Sequence, residues 1–332
     1  MKTNPGMQNA AISINGVSKR FGQTNAVSDL TFDVPQGSLM GFLGPNGAGK
    51  STTIRMIMSI IYPDAGQIEV LNESALSAKL RIGYLPEERG LYRKMKVVEF
   101  LTYIAKLKGM KARDLPSLID HWLKRVELPD VANQRCETLS KGMQQKIQFL
   151  AAVMHEPDLL ILDEPFSGLD PVSMVLLRDL ITDFHEQGRT ILFSTHVLHQ
   201  AEQICDRIIL INHGATLLEG TLDQINARFD PRTIEARPKN IHADLASIQD
   251  VRETNLSQNG SVEVHLNSQA DPYDVLQRIV AEHPMHSIGL RRPSLEEIFV
   301  DQVRNDQGQE AAAHARAGFA QNEVGSIMEH TP

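Results

Sequence analysis

Apolar residues in this chain follow two periods. Continuous apolar runs at residues 38–43, 159–162 and 190–194 have the length and character of strands buried on both faces of a parallel sheet. Residues 12–17, 30–34 and 82–85 read as further strands. Helical stretches lie between them. One covers 52–58. Another separates the last two buried runs, with Asp170 as N-cap, Pro171 at the first helical position and Gly188 past the end. Strand, helix, parallel strand is the wiring of an α/β domain.

Residues 97–107 and 118–126 break that alternation. Both carry apolar positions at helical spacing with no strand between them. They predict a helical insertion, about 94–155, inside an α/β domain spanning 11–229. The texture then changes. Residues 233–237 look like a short strand, Asn259-Gly260 is a hairpin signal before alternating residues 261–266, and 274–282 reads as a helix. Ser294 and Glu297 form a capping box for a last helix through Val303. A small α+β domain at 230–304 is expected, with a flexible leader at 1–10 and a disordered tail at 305–332.

The length of 332 residues allows two such cores. The net charge of −8 argues against nonspecific nucleic-acid binding as the main activity. Cys136 and Cys205 lie outside any metal-ligand spacing and are expected to be reduced, partly buried thiols of a cytosolic protein. No stretch of about 20 apolar residues is present, and the first residues lack an apolar signal segment. Action at a membrane would go through a partner.

The chemistry is carried by the segment after the first buried run. Gly44, Pro45, Asn46, Gly47, Ala48, Gly49, Lys50 and Ser51 spell G-x-x-x-x-G-K-[ST] between a strand and a helix opening at Thr52. Glycines let the backbone turn its N–H groups inward, and the helix start adds its own. Lys50 is placed to reach terminal phosphates and Ser51 to bind Mg²⁺. A second feature, Asp163-Glu164, ends the buried run 159–162. Asp163 would hold magnesium, through water, and Glu164 would act as general base on an attacking water. Ser194-Thr195-His196 ends the next strand, where the imidazole would touch the terminal phosphate. Residues 139–145 place Ser140 and Gly142 at a helix start, a further anion-binding arrangement. Two such starts exceed the needs of one nucleotide. A head-to-tail dimer would use both.

As a set, these segments resemble the ATP-binding-cassette family over residues 12–225. The resemblance implies a phosphate-loop NTPase core with an antiparallel β subdomain, and ATP and Mg²⁺ as ligands. Residues 44–51 match its phosphate loop, and residues 139–144 resemble its Leu-Ser-Gly-Gly-Gln signature, with Met143 inserted before Gln144 or replacing the second Gly, and with Ser140, Gly142 and Gln144 as nucleotide contacts. Asp163 and Glu164 match its magnesium and catalytic carboxylates, residues 167–170 its inter-subunit loop, and His196 its switch histidine. Phe21 stands where the family stacks an aromatic ring on adenine. There are two departures. Glu87 occupies the place of the usual Gln, as a further metal ligand, and Lys141 replaces a signature glycine. With the run around Glu87 and the segment 293–299, they resemble the sodium-extrusion-type group of bacterial exporters.

The resemblance further implies an ATPase subunit of an exporter. Two copies, or one copy and a paired ATPase, would sandwich two ATP. They would drive an integral-membrane permease from the cytoplasmic face of the cell membrane. Two other engines use a phosphate loop. A cassette ATPase acting on ribosomes or nucleic acid generally carries two cassettes or a coiled-coil insertion. A kinase or GTPase leaves the signature and His196 unexplained, and no Asn-Lys-x-Asp segment is visible.

Overall fold

The computed structural model describes residues 10–307, apart from 89, 230, 241, 258, 259 and 268 and the side chains of 305–307. Residues 1–9 of the expected leader and 308–332 of the expected tail lie outside the described residues. Residue 10 already opens the first strand, and 305–307 continue the last helix. The described chain divides into two compact units, one running to Thr221 and the next starting at Leu222. That break lies a few residues before the 229/230 boundary expected from the sequence.

The first unit holds two sheets. Strands β1 (Ala10–Phe21), β2 (Thr24–Pro35) and β4 (Ala65–Val70) form an antiparallel sheet in the order β2-β1-β4. In β2, Leu30, Phe32 and Val34 turn inward while Thr31 and Asp33 face out, the period of a half-buried strand. The second sheet has the order β5-β6-β7-β3-β8-β9. Its strands are β3 (Leu39–Leu43), β5 (Ile82–Leu85), β6 (Leu159–Asp163), β7 (Thr190–Thr195), β8 (Arg207–Asn212) and β9 (Ala215–Thr221). All neighbours in it are parallel except β8 and β9, which pair antiparallel. Every residue of β3, β6 and β7 is buried, as their unbroken apolar runs require. One apolar cluster joins the two sheets, and Phe32 of β2 stacks on Phe42 of β3 with centroids 5.4 Å apart.

Helices α1 (Lys50–Ile57) and α2 (Ala75–Ala78) precede β5. The insertion between β5 and β6 contains α3 (Val97–Leu107), α4 (Leu115–Arg125) and α5 (Lys141–Val153). Helices α6 (Pro171–Glu186) and α7 (Leu198–Ile204) flank β7. Trp122 of α4 stacks on Phe184 of α6 at 5.9 Å, and Arg125 pairs with Asp183. The insertion is thereby tied to the helix that follows β6. Both cysteines are fully buried thiols, more enclosed than the sequence suggested, and burial pushes each thiol up from its ordinary range.

The second unit begins with α8 (Leu222–Asn226) and carries an antiparallel sheet in the order β11-β12-β10-β13. Its strands are β10 (Thr233–Pro238), β11 (Val251–Leu256), β12 (Val262–Leu266) and β13 (Met285–Arg291). Helix α9 (Pro272–Glu282) shares an apolar cluster with Ile234, Val264 and Leu266. Helix α10 (Leu295–Gln307) opens as anticipated, the Glu297 carboxylate accepting from the Ser294 N–H at 2.8 Å. Asn259 of the expected hairpin lies outside the described residues. Gly260 closes the β11–β12 connection by donating its N–H to the Ser257 carbonyl.

Candidate functional site

Sheet order assembles the site. Because β3 lies beside β7, and β7 beside β6, the C-terminal ends of the three strands stand in a row. Leu43 is in register with Thr195, and Asp163 with Ser194. Gly44, Glu164 and His196 therefore each leave the sheet at the same edge, which is where open α/β sheets place ligands.

The phosphate loop leaves β3 at Gly44 and enters α1 after Gly49. Gly49 is the N-cap of α1, with φ +105°, a backbone region that side chains rarely tolerate. A Cβ there would stand 2.5 Å from the Ala26 carbonyl oxygen, and one at Gly44 would stand 2.3 Å from that of Ile211. The loop is thus pressed against neighbouring backbone at both ends. The helix starts at Lys50, two residues earlier than expected at Thr52, because the left-handed turn at Gly49 completes the change of direction. Lys50 and Ser51 consequently sit in the first helical turn with Thr52. Ala48 is buried and its N–H donates to the Pro45 carbonyl, closing the loop over Asn46 and Gly47.

The Lys50 side chain is 6% exposed, and its ammonium donates to the carbonyls of Gly44 at 2.7 Å and Pro45 at 3.2 Å. Glu164 Oε1 lies 4.0 Å from the same ammonium. Burial lowers the Lys50 pKa, and Glu164, Asp163 and Glu87 pull against that shift.

Asp163 and Glu164 have different environments although they are adjacent. Asp163 is 2% exposed and accepts from the Ser194 hydroxyl. Burial pushes its carboxyl up to about 6. The Ser194 bond and Lys50 oppose this shift, and the charges of Glu87 and Glu164 add to it. Glu164 has φ +50°, a strained conformation for a side-chain-bearing residue. The strain is held by three donors. Oε1 accepts from the His196 backbone N–H at 2.9 Å and lies 2.6 Å from His196 Nδ1, while Oε2 accepts from the Thr195 hydroxyl at 3.1 Å. The structure thus joins Lys50, Asp163, Glu164 and His196 in one cluster. Ser194 and Thr195 belong to it as well. The sequence carries a signal for both: two adjacent hydroxyls at the end of a largely apolar strand.

Glu87 reaches the same place from β5. Its Oε2 accepts from the Ser51 hydroxyl at 3.4 Å. Ser51, Asp163 and Glu87 are all hard oxygen donors, which fits Mg²⁺ rather than a softer metal. Among the described residues, no three His, Cys, Asp or Glu side chains converge on one metal position.

The signature segment lies elsewhere in the bonding pattern. Ser140 caps α5, its hydroxyl accepting from the Met143 N–H at 3.2 Å. The Gln144 amide donates to the carbonyls of Leu139 and Cys136. Gly142 faces Leu169 and Gly168 of the segment after β6, with 3.6 and 3.7 Å available to a Cβ. Among the described residues, the side-chain bonds of Ser140 and Gln144 therefore stay within segment 136–144 rather than reaching the loop at 44–51. Phe21 ends β1 half-exposed, with the Lys19 ammonium 5.6 Å from its ring centroid. Two buried glutamines of α5, Gln145 and Gln148, were passed over in the sequence. Their signal was a polar residue on the core side of an apolar helix.

Comparison with known proteins agrees with this architecture. A family model described as ABC transporter matches residues 27–167, and one described as ATP-binding protein DrrA1-3-like, C-terminal domain, matches residues 220–303. The uncharacterized ABC transporter ATP-binding protein YhaQ of Bacillus subtilis is 37% identical over 88% of this chain and 98% of its own length. The Nod factor export ATP-binding protein I of Bradyrhizobium diazoefficiens is 38% identical over 66% of this chain and 73% of its own. The dimeric structure of MJ0796, a bacterial ABC transporter cassette, superposes with a TM-score of 0.59 over 64% of this chain and 98% of that one, at 23% identity.

Proposed function

The chain belongs to the ATP-binding proteins of ABC transporters, and from that premise we propose that it powers a separate integral-membrane exporter subunit by closing a two-cassette dimer on ATP. ATP binding and hydrolysis belong to the family. The observation that carries the finer reading is the split of the site. Lys50, Asp163, Glu164 and His196 gather at one sheet edge, whereas among the described residues the side-chain bonds of Ser140 and Gln144 stay within segment 136–144. A second cassette, set head to tail, completes each half-site. The relative named for Nod factor export supports the direction of transport. Among the described residues no helix is long and apolar enough to cross a membrane. A membrane-spanning partner at the cytoplasmic face therefore fits the reading.

In this mechanism backbone N–H groups of Gly47, Gly49, Lys50 and Ser51 and the Lys50 ammonium bind the phosphates. Lys50 exchanges the Gly44 and Pro45 carbonyls for phosphate oxygens and stabilises charge on the leaving group. Mg²⁺, when bound, supplies neutralisation of phosphate charge, and Ser51, Asp163 and Glu87 are the residues that would hold it. Glu164 orients the attacking water and takes its proton, while His196 and Thr195 fix the carboxylate and His196 contacts the terminal phosphate. Phe21 packs on the base. Hydrolysis releases the dimer and resets the membrane subunit.

The test uses a tagged Glu164→Gln chain. It should bind ATP, lose turnover, elute as a dimer only with ATP, and retain an integral-membrane protein when purified from detergent-solubilised membranes. Hydrolysis at the parental rate would remove Glu164 as base. An ATP-locked dimer isolated without a membrane subunit would remove the transporter role.

A further inference from the structure

Helix α5 buries two primary amides among apolar neighbours. Gln145 is 2% exposed and Gln148 4% exposed, flanked by Ile147, Phe149 and Leu150, all buried. A buried amide loses its hydration, so each bond it makes is informative. Gln145 donates to the carbonyl of Pro165, the residue after Glu164, at 2.9 Å. Gln148 donates to two carbonyls, those of Pro86 at 3.3 Å and Glu88 at 3.2 Å. These two residues bracket Glu87.

The orientation of the Gln148 amide follows from chemistry. An amide nitrogen has two N–H donors, and both go to one three-residue bend. Turned over, the amide would set its oxygen against two carbonyl oxygens. The amide oxygen itself is buried and has no hydrogen-bond partner among the described residues. Space filling alone does not call for glutamine at this position, since an apolar side chain would pack there without leaving that oxygen unpaired.

Glu87 is exposed, and its side chain touches the site through the 3.4 Å contact with Ser51. A solvent-facing carboxylate keeps its rotamer freedom, so its place depends on the main chain that carries it. Among the described residues, another tie on this bend is the exposed pair Arg55 with Glu88 at 3.7 Å, which contributes little. We infer that Gln148 is the positioning residue for Glu87, holding the main chain on either side of it from the helix whose first turn is the signature segment. A shift of α5 then moves Glu87 relative to Ser51. What happens at Ser140 is passed to the metal side of the same chain's site.

This rests on the reading of Glu87 as a metal ligand, and the test separates the two. In the full-length Glu164→Gln chain, binding of a fluorescent ATP analogue is titrated with Mg²⁺ and again with EDTA. The ratio of the two dissociation constants gives the metal's contribution without turnover. Glu87→Gln and Gln148→Met should each reduce that ratio about tenfold, the lower end for a residue that orients a metal ligand. Binding in EDTA should be unchanged, and the double variant should be no worse than Glu87→Gln. Gln148→Glu, of the same shape but with an oxygen facing both carbonyls, should give the same loss if Gln148→Met fails to fold. If Glu87→Gln abolishes the Mg²⁺ effect while Gln148→Met preserves it, or if the two losses add, the positioning role is overturned. If Glu87→Gln itself leaves the ratio intact, Glu87 does not serve the metal and the inference falls with that reading.

Discussion

At the scale of single residues, neighbours in sequence are made different by what surrounds them. Asp163 faces a hydroxyl in a buried strand end, while Glu164 is turned by a positive φ into a frame of three donors. In the proposed mechanism one carboxylate serves a cation and the other a proton. Burial acts as strongly on a residue outside the site. His155 Nε2 lies 3.1 Å from the Ile82 carbonyl, and its Nδ1 is buried without a partner among the described residues. Burial, with help from the Lys108 charge, pushes its imidazolium down to about 4. The folded chain thus holds His155 neutral where the unfolded chain, with an ordinary imidazole, takes up a proton. Its contribution is present above the unfolded pKa and is lost as pH falls from about 6.5 towards 4. Denaturant unfolding of the parent and of His155→Gln should diverge across that window, the parent losing up to about 3 kcal/mol relative to the variant. A constant difference from pH 7 to 4 would contradict this.

At the scale of elements, the buried strands and the capped helices were readable because each obeys a local rule. Asp170 accepts from the Ser173 N–H at 2.9 Å and from its hydroxyl at 2.6 Å, Pro171 opens α6, and these bonds hold the Asp170 carboxyl below its ordinary range. Asp170→Ala should lower the unfolding free energy by about 1 kcal/mol, the usual cost of an N-cap, read from the denaturation midpoint at constant slope. An unchanged midpoint would mean that α6 does not depend on its cap. Strand β4 went unread for an opposite reason. It is short, mostly exposed, and gains its pairing only from β1. Strands β8 and β9 were also missed. Their hairpin turns at His213 and Gly214, both with positive φ, and His-Gly is a weaker signal than Asn-Gly.

At the scale of the molecule, the proposed function gives the first unit half-sites rather than a whole one, and this can be tested by mixing. A Lys50→Ala chain and a Gly142→Asp chain should each be inactive. Mixed, they should recover measurable ATP hydrolysis, because one of the two sites in the mixed dimer has an intact loop facing an intact signature. No recovery, in a mixture shown to form mixed dimers, would place loop and signature of one chain in the same site. The sequence by itself determined what lies within a few residues of itself: the glycine-framed loop at 44–51, the apolar strand ending in Asp163 and Glu164, the cap at Asp170. These depend on local φ and ψ, on periodicity and on the chemistry of adjacent side chains. Only the tertiary structure decided which of them meet. Glu87 lies 36 positions from Ser51, Glu164 lies 32 from His196, and Gln148 lies 62 from Pro86. Those approaches follow from the strand order β5-β6-β7-β3. That order is set by how whole strands and helices bury their apolar faces together, which no local pattern encodes.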